Sequence, residues 1–268
     1  MVPKIYFSWE SLLPKLSKYL YDKGTTSTSQ TWQGTKGRTM LELLNICFTI
    51  QRPNLLPLLK PNLPWANEHF KERVSGIPYN PPPSHKLWPF QSNDNSEFIK
   101  EEKFSHTYPE RFWPKYAGVW HLGLKGYDVK LGNEDYPINS GIAFDYGDLQ
   151  DVINLIKGDI HTRQAYLPIW FPEDTGVVEG QRVPCSIGYH FQIRHGYLHC
   201  HYTLRSCDFL LHFMDDMYMA QELMSYIVNE AGIQDLSIGP LTVSIDNLHC
   251  FIEGKEIIKQ KWSKLWNE

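Results

Sequence analysis

No run of about 18 apolar residues occurs anywhere in the 268-residue chain, so no helical membrane span is expected. The opening MVPKIYFSWESLL lacks a basic segment followed by a long apolar run, so no secretory leader is expected either. Positive charge is not in excess: 26 Lys and Arg stand against 30 Asp and Glu, for a net charge of −4. That balance offers no footprint for a nucleic-acid backbone, and any nucleotide ligand is expected to be small and held by a local basic cluster. Cysteine is scarce. Cys47, Cys185, Cys200, Cys207 and Cys250 are odd in number and form no C-x-x-C pair, which points away from a disulfide framework and toward a reduced, cytoplasmic setting. Low-complexity tracts and internal repeats are missing as well.

What remains is the composition of a soluble globular protein, 42% hydrophobic and 21% charged. The length predicts a single domain over residues 1–268 with a sizeable core. Ser8 to Tyr21 places Trp9, Leu12, Leu13, Leu16 and Leu20 on one helical face, with Ser8 as N-cap. Asp22 to Gly37 reads as a loop with room for one short strand. Thr39 to Ile50 begins like a helical turn and ends like a strand, stopped by Arg52-Pro53. Glu68 begins a short amphipathic segment, and Pro78 to Pro83 excludes regular structure. Gln91 to Glu102 is polar enough for a flexible surface loop. Asp145 to Lys157 is a patterned helix, Thr162 to Trp170 a strand, Met217 to Ala231 an apolar helix, Leu241 to Phe251 a strand and Ile257 to Trp266 an amphipathic helix.

The richest stretch is Pro184 to Asp216, PCSIGYHFQIRHGYLHCHYTLRSCDFLLHFMDD. Two β-rich runs, Tyr189–Arg194 and Leu198–Leu204, are split at His195-Gly196, as in a hairpin. A hairpin there can bring together a thiol, a guanidinium and two carboxylates. Pro184-Cys185 and Arg205-Ser206-Cys207-Asp208 resemble the catalytic core of thymidylate synthases. The resemblance is specific over 184–251, good over 64–88 and 162–170, and weak elsewhere. It implies an α/β fold (α+β) around a mixed, twisted sheet with surrounding helices, and a homodimer through the sheet face. Eight positions after Asp208, where thymidylate synthases carry asparagine, this chain has Asp216. In that it resembles the deoxycytidylate hydroxymethylases of T-even phages, a branch of the same superfamily.

The resemblance also implies roles. Cys185 is the nucleophile, Glu68 handles protons, and Asp216 reads the base. Arg205, Ser206 and a partner-subunit Arg163 bind phosphate, joined by Lys36 or Arg38, between which the residues do not choose. Tyr108 lies near the substrate and His249 holds the sugar, while Phe251 stands where relatives have tyrosine. Trp88, Asp208 and Leu211 belong to the folate site, and 5,10-methylenetetrahydrofolate is the implied cofactor. Relatives end in a short apolar tail that closes over the folate, where this chain has an amphipathic segment. A thiolate near a guanidinium suits covalent catalysis at a pyrimidine C6. The expected reaction is hydroxymethylation of deoxycytidylate; a methylating enzyme acting on deoxycytidylate or deoxyuridylate is the alternative. A metal site at His199 and His201, near Cys200, His190 and Asp208, and a non-catalytic member of the fold are the other readings.

Overall fold

The computed structural model describes residues 4–28, 37–53, 59–89, 99–100, 103–114, 147–176 and 183–266. In chain order its elements are β1 (Lys4–Tyr6), α1 (Trp9–Lys23), β2 (Thr25–Thr28), β3 (Thr39–Ile50), α2 (Trp65–Arg73), β4 (Ile99–Lys100), β5 (Lys103–Phe104), α3 (Tyr108–Phe112) and α4 (Leu149–Gly158). They continue with β6 (Tyr166–Pro168), β7 (Ser186–Arg194), β8 (Tyr197–Leu204), β9 (Cys207–Asp208), α5 (Phe213–Ala231), β10 (Ser237–Phe251) and α6 (Gly254–Trp262). Short 3-10 turns lie at Pro83–Leu87, Pro172–Gly176 and Ser263–Leu265.

The main sheet runs β1-β3-β10-β8-β7-β6, with β2 on β3 and β9 on β10. β10 pairs antiparallel with β3 and parallel with β8, so the sheet is mixed. β7 and β8 form the expected hairpin. Its turn residues, His195 and Gly196, both have positive φ, 53° and 77°, the conformation that matches the twist of a two-residue hairpin.

Burial alternates along β8: Leu198, Cys200, Tyr202 and Leu204 point inward, while Tyr197 and His201 are exposed. The inward residues share one core with Leu12, Leu13 and Leu16 of α1, Val152 and Ile156 of α4, and Met217, Ala220 and Met224 of α5. Trp9 sits where these layers meet, edge-on to Phe48 and Phe213 with centroids 6.4 Å apart in each case.

Several element boundaries differ from expectation. Thr39–Ile50 is strand throughout, because pairing with β10 from Met40 to Ile50 outweighs the local helical preference of MLELL. The strand expected over Thr162 to Trp170 shortens to Tyr166–Pro168; Pro168 has no N–H to extend the ladder. α5 begins four residues earlier than expected and carries Asp215 and Asp216 in its first turn. α2 begins at Trp65, ahead of Glu68. Within the expected 91–102 loop, Ile99–Lys100 pairs with Lys103–Phe104; the rest of that loop lies outside the described residues.

A buried ion pair anchors α3 beneath the site described below. Arg111 donates to Asp174 from Nη1 at 3.0 Å and Nη2 at 2.8 Å, and Asp174 also accepts the Phe171 N–H. Truncating Asp174 leaves a desolvated guanidinium uncompensated. We expect Asp174→Ala to cost about 3–5 kcal/mol and to lower Tm by roughly 6 °C or more, read by thermal melting.

Candidate active site

The end of β8 and the start of α5 build one wall of a cavity. Beyond Leu204 the chain runs Arg205-Ser206, and β9 then rejoins the sheet against Leu248 and His249. Asp208 turns the chain: its Oδ1 accepts the N–H groups of Leu210 and Leu211 at 2.8 and 2.9 Å. The other oxygen, Oδ2, has no hydrogen-bond partner among the described residues. α5 then presents Asp215 and Asp216 about 100° apart, and their surroundings separate them. Asp215 accepts from the Asn62 backbone at 2.7 Å and from Asn62 Nδ2 at 2.8 Å, which turns it away. Asp216 lines the cavity.

Opposite lie Trp65, His69 and Arg73 from α2, the turn Ser84–His85 with Trp88, the Phe104–Tyr108 segment, and Cys185 at the mouth of β7. Cys185 is held by its backbone, its carbonyl accepting the Arg205 N–H at 2.9 Å. Next to it, Ser186 Oγ shares hydrogen bonds with Tyr202 at 2.6 Å and Tyr108 at 3.1 Å. Burial, together with the negative groups at Cys185 and Asp216, pushes the Tyr108 hydroxyl well above its ordinary range, so it remains a phenol. The guanidinium of Arg73 lies 3.9 Å from the centre of the Tyr108 ring. Its Nε is buried without a hydrogen-bond partner among the described residues.

Burial drives the Asp216 carboxyl up to about 7, with Arg73 opposing and Asp215 adding to the rise. The Cys207 thiol donates toward Asp216 Oδ2 at 3.7 Å. Cys207 belongs both to the core and to the cavity wall.

Of the residues singled out from sequence, Cys185, Ser206, Asp208, Asp216, Trp88 and Tyr108 line this cavity together. Trp88 stacks on His212 at 5.9 Å. His249 stands beside it, its Nδ1 3.1 Å from Asn247 Oδ1 and 3.5 Å from Ser206 Oγ. Leu211 contributes its N–H to Asp208. Glu68 is not brought in. It sits on the outer side of α2, half-exposed and paired with Lys71 at 2.6 Å, because the helical period turns positions 65, 69 and 73 to the cavity and 68 away.

Arg205 serves as a clamp: Nε donates to the Pro184 carbonyl at 2.7 Å and Nη2 to that of Val183 at 3.1 Å. Arg163 is exposed, outside this cavity, and Arg38 is exposed, stacked 3.5 Å over Phe251 and 3.7 Å from Glu253. Lys36 lies outside the described residues. His190 and His201 spend Nε2 on the Arg163 carbonyl and Ser244 Oγ, and no group of three potential metal ligands occurs among the described residues. Sequence reading missed His69, Arg73, Ser84 and Glu72. The i, i+4, i+8 spacing from Trp65 was the available signal.

The sequence model of the thymidylate synthase family matches residues 87–266. A bifunctional dihydrofolate reductase–thymidylate synthase of Paramecium tetraurelia is 25% identical over 177 residues, which span 66% of this chain and 35% of the relative. Its Zea mays counterpart is 26% identical over 180 residues, 67% of this chain and 32% of the relative. The chain thus spans about a third of the length of these curated relatives. Among solved structures, thermostable thymidylate synthase A from Bacillus subtilis superposes with a TM-score of 0.67 at 13% identity, covering 96% of this chain and 84% of that one. At that identity the likeness is one of fold.

The raised Asp216 carboxyl has a consequence for stability. Its folded value lies above the ordinary one, so ionising it costs stability as pH climbs from about 4 through about 7. Asn cannot ionise. We expect Asp216→Asn to melt several degrees above the unsubstituted protein at pH 8, with the gap closing toward pH 4, measured by thermal scans across that range.

Proposed function

The chain belongs to the thymidylate synthase family, and within it we propose that the chain is a single-domain, cytoplasmic, folate-dependent enzyme converting deoxycytidylate to 5-hydroxymethyldeoxycytidylate. The observation that carries this reading is the shared cavity of Cys185 and a buried Asp216 whose carboxyl titrates near neutrality.

The cavity's donor set fits a folate. Asp208 Oδ2 is available for an amino-pyrimidine edge, and Trp65, Trp88 and His212 supply flat apolar walls. When bound, 5,10-methylenetetrahydrofolate supplies a one-carbon unit to ring carbon 5.

The chain's own groups do the rest. Cys185 adds as thiolate to carbon 6, which breaks aromaticity and makes carbon 5 enamine-like. Protonated Asp216 reads cytosine: its carbonyl oxygen accepts from the exocyclic amino group and its hydroxyl donates to the ring nitrogen. Ser206 and His249 hold the sugar–phosphate side, with Arg38 and a partner subunit's copy of Arg163 supplying charge. The open sheet face, with Tyr166, Tyr197 and His201 exposed, is the surface through which two copies pair. Water then adds to the one-carbon unit and gives the hydroxymethyl product.

A methylating reading on deoxyuridylate draws on the same carboxyl. Rotated, a neutral Asp216 donates to the uracil carbonyl and accepts from its ring N–H, and the buried Arg73 nearby offers a second donor. Ionisation disfavours both bases, because a carboxylate meets the uracil carbonyl or the cytosine ring nitrogen acceptor with acceptor. Leaving such groups unpaired in a buried site costs roughly 1–3 kcal/mol each.

Mass spectrometry of the product from deoxycytidylate should show a hydroxymethyl group; a methyl group with dihydrofolate appearing refutes the proposal. Cys185→Ala should abolish turnover while nucleotide binding survives, and a 5-fluoro-substituted nucleotide should map to Cys185 in the unsubstituted enzyme. Deoxycytidylate affinity should weaken above pH 7, approaching about tenfold per unit as the Asp216 proton is lost. Asp216→Asn should flatten that dependence and move preference toward deoxyuridylate in competition assays.

A further inference from the structure

We propose that His69 directs water onto the one-carbon unit, and that Ser84 and Glu72 are positioning residues that fix its tautomer. This rests on the hydroxymethylase reading above and identifies the groups that deliver its last reactant.

Glu72 takes both donors of Ser84. One of its oxygens accepts the Ser84 N–H at 2.6 Å, and the other accepts the Ser84 hydroxyl. A serine has one hydroxyl proton, and Ser84 has given it to Glu72. Toward His69 Nδ1, 3.1 Å away, Ser84 Oγ can therefore only accept. The imidazole proton must then reside on Nδ1, which leaves Nε2 as a bare acceptor.

The ring is held in place. His69 is 8% exposed, stacks on Trp65 at 5.0 Å and meets Tyr108 edge-on at 6.1 Å. Nε2 has no partner among the described residues, and the side chain lines the cavity shared with Cys185 and Asp216. A histidine buried for packing alone would be expected to satisfy both nitrogens; this one reserves a lone pair for the cavity. Burial and the Arg73 charge push the imidazole down to about 4, even against Glu72, so Nε2 is unprotonated at neutral pH. Hydrogen bonds from His69 and Ser84 outweigh burial at Glu72 and keep its carboxyl below its ordinary value.

The step balances with water as the sole added reactant. The adduct carries an exocyclic methylene on carbon 5 and the Cys185 sulfur on carbon 6. Water oxygen bonds to the methylene carbon and the methylene π pair moves into the ring. One water proton passes to His69 Nε2 and from there to solvent. The ring pair then re-forms the carbon 5–carbon 6 double bond as the carbon–sulfur bond breaks, and thiolate leaves. The methylene is electrophilic, so a weakly basic nitrogen that orients water and takes its proton as the bond forms is sufficient.

The test compares the unsubstituted enzyme with His69→Gln, Ser84→Ala, Glu72→Gln and Glu68→Gln, using deoxycytidylate and 5,10-methylenetetrahydrofolate with and without 2-mercaptoethanol. We expect His69→Gln to lower hydroxymethyl product about 100-fold while still forming the covalent 5-fluoro-nucleotide adduct at Cys185. Added thiol, which needs no base, should divert its intermediate to a thioether product. Ser84→Ala and Glu72→Gln should show the same diversion with a smaller loss, about tenfold, and Glu68→Gln should behave as the unsubstituted enzyme. Hydroxymethyl product undiminished in His69→Gln overturns the inference, as does loss without thioether diversion in both Ser84→Ala and Glu72→Gln, which remain informative if His69→Gln does not fold. Failure of the underlying reading shows itself separately, as an unsubstituted enzyme that makes methyl product or none.

Discussion

Three hydrogen bonds from Arg205 hold the segment that carries Cys185: its backbone N–H takes the Cys185 carbonyl, Nε the Pro184 carbonyl and Nη2 the Val183 carbonyl. A guanidinium suits this because its donors are planar and fixed relative to one another. Everything else in the cavity is positioned relative to that clamp. The residues that follow Arg205 rejoin the sheet beside β10, turn on Asp208, and enter α5 with Asp216 already inside the wall. One arginine therefore sets the Cys185 thiol and the Asp216 carboxyl in a common frame, through the chain that joins them.

The cavity is also a place where charge is kept out. Asp216 and Tyr108 are both held toward their neutral forms by burial, and His69 is held neutral in the same way. Other acidic side chains are placed where they have partners: Asp215 on Asn62, Glu72 on Ser84, Asp174 on Arg111. Arg73 instead rests its guanidinium against the Tyr108 ring. A low-dielectric site of this kind strengthens each remaining hydrogen bond.

Legibility from sequence varied with the range of the interaction. The β7–β8 hairpin was readable because His-Gly at a positive-φ turn is a local signal. The faces of α1 and α4 were readable because their apolar residues repeat at the helical period. β3 was half misread, since MLELL favours helix locally and only the facing β10 makes it strand. Glu68 was misplaced for a similar reason: spacing to Trp88 says nothing about which side of α2 meets the cavity, and burial of Trp65 and Ala66 decides that.

The sequence by itself determined the fold class, the hairpin, and the presence of Cys185, Asp208 and Asp216 at spacings that one strand pair and one helix start can bring together. These depend on local periodicity and short separations along the chain. Tertiary structure alone decided which of two adjacent aspartates faces the cavity, that Arg205 grips the backbone of the Cys185 segment, and that His69 meets Ser84. Each of these joins side chains to elements outside their own, with Asn62 and Asp215 lying 153 positions apart. Direction and depth of burial at such separations follow from how the layers pack, which no local pattern encodes.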